Sequence, residues 1–249
     1  MTMLSQAQIT EIRMPDGRVI SLVDWTDRPL YSTLDIEDGA NDPLYTLFGY
    51  LSGDPVQSSS NITNRRTSTD RDTNIEQPGG LASTEELLIY SVKPEFFQLC
   101  DHGHGSPLTY GDSDDWDIFG GIPPFLPLVE SQNLKLLQRL LLLRLRVSKK
   151  YYMEAGLGYY NTGFGVDSTG ASGSTNHLVG NNGSPGAYAA RPVVIPVHVG
   201  GQEKYAVEIV NPSGTVIDFA DSTGADYDTD HPVITCRVYL DGLYKRPTG

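Results

Sequence analysis

Two groups of residues have the types and spacing that chemistry needs. The first is Cys100-Asp101-His102-Gly103-His104. A His-x-His pair on a strand puts both imidazoles on one face, as the metal site of a cupin requires. A cupin site also needs a Glu soon after the pair and a later His on a neighbouring strand. No Glu follows before Glu130, and His198 would have to serve as the later ligand. The flanks, rich in Gly, read as loop. His102 and His104 are therefore expected to be loop histidines without a tightly bound transition metal, and a cupin-type metalloenzyme is the weakest alternative.

The second group is acidic. Asp226, Asp228 and Asp230 alternate like the first half of a calcium loop. The turning Gly and the distal Glu of such a loop are missing, and His231-Pro232 follows instead. Asp112, Asp114, Asp115 and Asp117 form a similar run. Both read as solvated loops. No cofactor is expected, and a weak structural calcium at Asp226, Asp228 and Asp230 stays open. The chain has no G-x-S-x-G, no G-x-x-x-x-G-K, no H-E-x-x-H and no G-x-G-x-x-G opening a helix. Each of those frames places a nucleophile, phosphate cradle or metal in a set geometry. No enzymatic activity is expected.

Composition narrows the remaining classes. The 249 residues are 39% hydrophobic, enough for a real core. Gly (26) and Pro (16) favour short strands and many turns over long helices. No apolar run exceeds four residues, far below the ~20 of a spanning helix. The N-terminus has no basic and apolar pair of regions, so no signal peptide is expected. Cys100 and Cys236 read as ordinary buried thiols. Net charge is −13, which disfavours general nucleic-acid binding. Residues 131–150 stand apart, with six basic side chains (Lys135, Arg139, Arg144, Arg146, Lys149, Lys150) and no acid.

The elements divide at about residue 83. Residues 8–23 predict a hairpin turning at Pro15-Asp16-Gly17. Residues 24–52 lack a clean period and read as an extended arm with a short helix at 42–51. Trp25, Tyr31, Tyr45, Phe48 and Tyr50 would anchor this arm on a neighbour. Residues 53–83 are Ser/Thr/Asn/Asp/Arg-rich, the composition of a surface or partner-dependent loop. From 84 onward strands are predicted at Glu86–Val92 (closed by Pro94), Leu141–Val147, Tyr151–Leu157, Val193–Val199, Tyr205–Val210, Val216–Phe219 and Val233–Leu240. Residues 101–129 and 161–189 read as loops. The expected fold is all-β: about eight strands in an antiparallel β-sandwich over 84–249, preceded by a hairpin and long arm over 1–83.

A family resemblance follows from particular stretches. Asp72-Thr73-Asn74-Ile75-Glu76-Gln77-Pro78-Gly79-Gly80-Leu81, then Leu87-Leu88-Ile89-Tyr90-Ser91-Val92, resembles the run into the first barrel strand of jelly-roll capsid proteins of tailless icosahedral bacteriophages. The basic strand Leu141–Val147 with Tyr151-Tyr152, Gly163-Phe164-Gly165, and Val238-Tyr239-Leu240-Asp241-Gly242 with Arg246-Pro247 are similar in order and character. The resemblance implies a viral structural protein: a capsid subunit that self-assembles into an icosahedral shell. A single jelly roll suits about eight strands, and a compact double roll is the alternative. Its partners would be copies of itself and other virion proteins. Its place would be the virion, after synthesis in the host cytoplasm. Arg144 and Arg146 would face a neighbour's Asp-rich loop, 112–117 or 226–230. The competing reading is a phage spike, decoration or carbohydrate-binding module, with Tyr159, Tyr160 and Tyr188 as its platform.

Overall fold

A computed structural model describes residues 11–13, 17, 19–21, 24–63, 65–99, 136–160, 164–166, 180–182, 191–219 and 233–245. His102, His104, Cys100, Tyr188 and both Asp runs lie outside these. The described chain is built of strands: β1 (Glu11–Arg13), β2 (Val19–Ser21), β3 (Trp25–Asp27), β4 (Leu30–Glu37), β5 (Leu44–Leu47), β6 (Gln57–Ser58), β7 (Glu86–Leu99), β8 (Leu142–Val147), β9 (Lys150–Gly156), β10 (Phe164–Val166), β11 (Gly180–Asn182), β12 (Arg191–Val199), β13 (Tyr205–Val210) and β14 (Val233–Lys245). A single helical turn at 136–140 and a 3₁₀ turn at Leu157–Tyr160 flank the β8–β9 hairpin.

Two sheets carry the architecture. The first runs β12-β7-β14-β4-β6, with β3 also on β14; the second runs β5-β13-β8-β9. The pairing is nested. β4 pairs with β14, β5 with β13, β7 with β12 and β8 with β9, all antiparallel. Two further pairs, β7 with β14 and β8 with β13, join these hairpin-like couples into the sheets. One apolar cluster lies between the sheets. Leu34, Ile36, Leu87, Ile89, Ile234, Cys236, Val238 and Leu240 come from the first sheet; Leu47, Leu143, Leu145, Val207 and Ile209 come from the second.

The second sheet follows simple alternation. In β8, Leu143, Leu145 and Val147 point inward while Leu142, Arg144 and Arg146 point out. That is the period-two pattern of a strand with one wet face. In the first sheet a bulge interrupts the pattern. Asp241 pairs with Ser91 but Gly242 pairs with Ile89, so Tyr90 is an extra residue in β7. Before it the odd residues Leu87 and Ile89 enter the core; after it Val92 and Phe96 do. A β-carbon on Gly242 would lie 2.0 Å from the Leu88 carbonyl oxygen, so glycine is required there.

Several expectations change. The strand beginning at Glu86 does not stop at Pro94 but continues to Leu99 along β14. The pairing of β7 with β12 ends at Val92, so beyond it the proline meets only one paired neighbour among the described residues. Within 42–51, in place of the expected short helix, Leu44–Leu47 forms β5, because Tyr45 and Leu47 alternate into the core. Val216–Phe219 is no strand: Ile217 makes one bridge to Ala40. The region read as a loop over 161–189 carries the short β10–β11 pair. The expected hairpin near the N-terminus is present as β1–β2.

The largest correction concerns the arm. The boundary between residues 83 and 84 does not separate a coreless arm from a sandwich. β4 lies between β14 and β6, and β5 is a strand of the second sheet. Leu34, Ile36, Leu47 and Phe48 are wholly buried in the common core. Leu87 therefore opens the third strand of the nested set, not the first.

Candidate assembly surfaces

The outer face of the first sheet carries a polar layer. On β4 it presents Tyr31, Thr33 and Asp35; on β14 it presents Thr235, Arg237 and Tyr239. Segment 53–83 folds over this face. Arg66 is its clasp. Its Nε donates to Asp35 Oδ2 at 2.7 Å and its Nη2 to Asp35 Oδ1 at 3.2 Å. Its Nη1 stands 2.9 Å from Asp72 Oδ1. Thr235 Oγ1 donates to Asp35 Oδ1 at 2.8 Å, and Thr33 Oγ1 donates to the Asp72 carbonyl at 2.8 Å. The side chains of Arg66, Asp35 and Asp72 are 1%, 2% and 0% exposed. Burial pushes the Asp35 carboxyl above its usual range, against the pull of Arg66 and Thr235. A buried pair of this kind gives little net stability over an apolar core, but breaking it is costly. The loop is thus held by its own sheet.

The expected anchor residues divide accordingly. Tyr45, Phe48 and Tyr50 are buried in their own chain and cannot anchor an arm elsewhere. Phe48 sits at φ 66°, where its amide donates to Ser32 Oγ at 3.0 Å. The Tyr50 hydroxyl donates to the Thr33 carbonyl at 2.7 Å and accepts from the Thr33 amide at 3.0 Å. Burial raises its pKa to about 12. Tyr31 is half-buried, 5.7 Å from the ring of its cross-strand partner Tyr239, and its hydroxyl donates to the Asp70 carbonyl. Arg237 lies 5.9 Å from the Tyr31 ring. Trp25, half-buried on β3, pairs with Lys245 at the end of β14.

On the second sheet Arg144 and Arg146 do face outward, as alternation requires. Their charges are met within the chain. Arg144 Nε lies 2.8 Å from Glu154 on β9, and Arg146 Nε donates to Glu208 on β13 at 2.6 Å. Glu154, Arg144 and Glu208 are register partners across three strands. They form a charge ladder on one sheet face, which corrects the expectation that a neighbour's acids complete them. Sequence reading missed this because both acids lie on other strands, outside the segment without acids.

Beside the ladder, the edge strand β9 and its two flanks are wet and aromatic. Tyr151, Tyr152 and Tyr159 are 49%, 42% and 55% exposed. Arg144 covers the Tyr151 ring at 5.6 Å, and Lys150 Nζ covers the Tyr152 ring at 4.5 Å. Tyr160, by contrast, is buried. The alternation of β8 made the strand legible; the exposure of Tyr151 and Tyr152 follows from its hairpin partner being the last strand of the sheet.

Cys236, Glu86 and His198 are committed to structure. Cys236 is a free, buried thiol whose pKa burial pushes far up, so it is no thiolate nucleophile. Glu86 joins His198 Nε2 and Lys245 Nζ, each at 2.8 Å, and so ties β12, β7 and β14 together. No group of three His, Cys, Asp or Glu side chains able to hold a metal occurs among the described residues. No described helix is long and apolar enough to cross a membrane. No protein-family model, curated protein or solved structure matches the chain.

Proposed function

We propose that this chain is a viral capsid subunit, a single jelly roll that assembles with copies of itself into an icosahedral shell. The observation that carries the reading is the nested strand pairing. Leaving aside β3 and β6 at the margin of the first sheet, β4, β5, β7, β8, β9, β12, β13 and β14 are first to eighth. First pairs with eighth, second with seventh, third with sixth and fourth with fifth. The layer orders are then sixth-third-eighth-first and second-seventh-fourth-fifth. A long hairpin wrapped around a barrel produces this order, the arrangement of jelly rolls, which recur in viral capsid and lectin domains and in cupins. Eight such strands favour one roll over a compact double roll.

Within that group the capsid reading draws on the family resemblance of the sequence and on committed side chains. Asp35, Arg66, Asp72, Glu86 and His198 bind one part of the chain to another, and no catalytic role is proposed for them. Shells arise when a heterologous or isologous contact repeats under closed symmetry, so such a subunit needs surfaces more than it needs a pocket. Its partners are copies of itself and other virion proteins, its final place is the virion, and the role asks for no cofactor. Sizing of native protein by light scattering and electron microscopy tests this. Closed particles of uniform diameter are expected. A monomer that binds a glycan would favour the carbohydrate-binding alternative.

A further inference from the structure

The charge ladder of the second sheet alternates in sign and stops at an open edge. Glu208 on β13, Arg144 on β8 and Glu154 on β9 are register partners, so one row reads minus, plus, minus. Arg144 Nε stands 2.8 Å from Glu154 Oε2. Glu208, first in the row, has a side chain 7% exposed; Glu154, last in the row, is 47% exposed. β9 ends its sheet, and among the described residues no backbone group pairs with its free edge. A further strand that brings a cation opposite Glu154 would complete the row.

β9 itself carries that cation. Its sequence is Lys150-Tyr151-Tyr152-Met153-Glu154-Ala155-Gly156. Lys150 is exposed, has no carboxylate partner among the described residues, and holds its ammonium 4.5 Å from the centre of the Tyr152 ring. Consider a second β9 laid antiparallel against the first, with the two-fold axis at Tyr152. Lys150 then falls opposite Glu154 of the copy, Tyr151 opposite Met153, and Tyr152 opposite itself. Symmetry forms both charge pairs at once. An axis at Met153 would set Glu154 against Tyr152, and one at Tyr151 would set Lys150 against Tyr152. An axis at Glu154 would bring two acids face to face. Charge therefore selects one register.

We infer that the free edge of β9 is a docking site for β9 of a second copy of this chain, antiparallel about a two-fold axis at Tyr152. Self-complementary charge selects that occupant. The row then runs through Glu208, Arg144, Glu154 and the copy's Lys150, alternating in sign throughout. Tyr151 and Tyr152, 49% and 42% exposed, add apolar area with little rotamer entropy to lose, as interface anchors do. β9 is bulged: Met153 pairs with Leu145 and Tyr151 with Arg146, which leaves Tyr152 as the extra residue. A short, bulged, charged edge resists unspecific strand stacking, so side chains set the register more than backbone bonds do. The contact is isologous, the same patch on both copies. It goes beyond the capsid reading, since a dimer held in this way need not belong to a shell.

The test uses the full chain carrying C100S, so that the buried Cys236 is the only native thiol left. In that background Y152C puts a thiol on the axis, where opposed β-carbons lie about 4.5–5.5 Å apart, close to disulfide reach. Mild oxidation is expected to link Y152C into a dimer and to leave V216C, an equally exposed site on another surface, unlinked. Sedimentation velocity then compares the native chain with K150E and K150E/E154K. Unchanged circular dichroism and melting temperature are expected for K150E, whose side chain is exposed, and establish that it folds. Its dimer dissociation constant is expected to rise about tenfold or more, and the double variant, in which the charges are exchanged, should recover affinity. A Y152C chain that links no more than V216C, or a K150E chain that associates like the native one, overturns the inference; closed particles formed all the same leave the capsid reading standing. A native chain that is monomeric throughout, without linkage of Y152C, overturns both. A linked dimer that never grows into larger particles supports the inference and overturns the capsid reading.

Discussion

Arg66→Met is the most informative single perturbation of the fold. The substitution keeps most of the side-chain volume and removes the guanidinium that joins Asp35 to Asp72. Both carboxylates are at most 2% exposed, so water cannot replace the guanidinium. The donors from Thr235 to Asp35 and from Thr69 to Asp72 are neutral and leave the charges unmatched. Breaking a buried ion pair by removing one partner costs about 3–5 kcal/mol. For a chain of this size that lowers the melting temperature by roughly 6–20 °C. The pH dependence has a definite sign. Asp35 already has a raised pKa in the folded state. Such a group contributes stability that is present below its unfolded value and lost as pH rises through the folded one. Without Arg66 its pKa rises further. The deficit of the variant should therefore be greatest near neutral pH and shrink as pH falls toward ~4. Urea denaturation at several pH values measures this, and limited proteolysis should show earlier cutting within 53–83 in the variant. A deficit below about 1 kcal/mol at neutral pH, or one independent of pH, would refute the clasp.

Two further substitutions test the packing. Tyr50→Phe removes the hydroxyl that satisfies both backbone groups of Thr33 and should cost about 1–3 kcal/mol in chemical denaturation; a neutral effect would mean that Thr33 finds other partners. Gly242→Ala forces a β-carbon against the Leu88 carbonyl, so it should destabilise by on the order of 1–3 kcal/mol or shift the bulge. An alanine variant as stable as the native chain, with the same hydrogen-exchange protection in β7, would contradict the bulge at Tyr90.

The strands that sequence made legible are those with one apolar and one wet face. β8 and β14 show Leu143, Leu145 and Val238, Leu240 alternating with Arg or Tyr, and period two is then plain. β4 escaped because its faces do not contrast. Its inner row includes Ser32, whose hydroxyl accepts from the Phe48 amide, and its outer row includes Asp35 and Thr33, buried under the covering loop. A polar residue with a hydrogen-bond partner distant in sequence looks like surface until the partner is known. The same holds for Arg66, which sits 31 positions from Asp35. Segment 53–83 is largely polar, but a polar loop can be ordered by a buried ion pair as well as by a neighbour. Arg144 and Arg146 take the outward face that alternation predicts, while their partners depend on strand order, which the nested pairing alone reveals.

The central claim is assembly. Multi-angle light scattering on freshly purified native protein, across concentration and salt, measures it most directly. A concentration-dependent transition to large particles of one size is expected, weakened by added salt without loss of the folded subunit. A monodisperse monomer at every concentration and salt level, with the protein absent from purified virus particles, would contradict it.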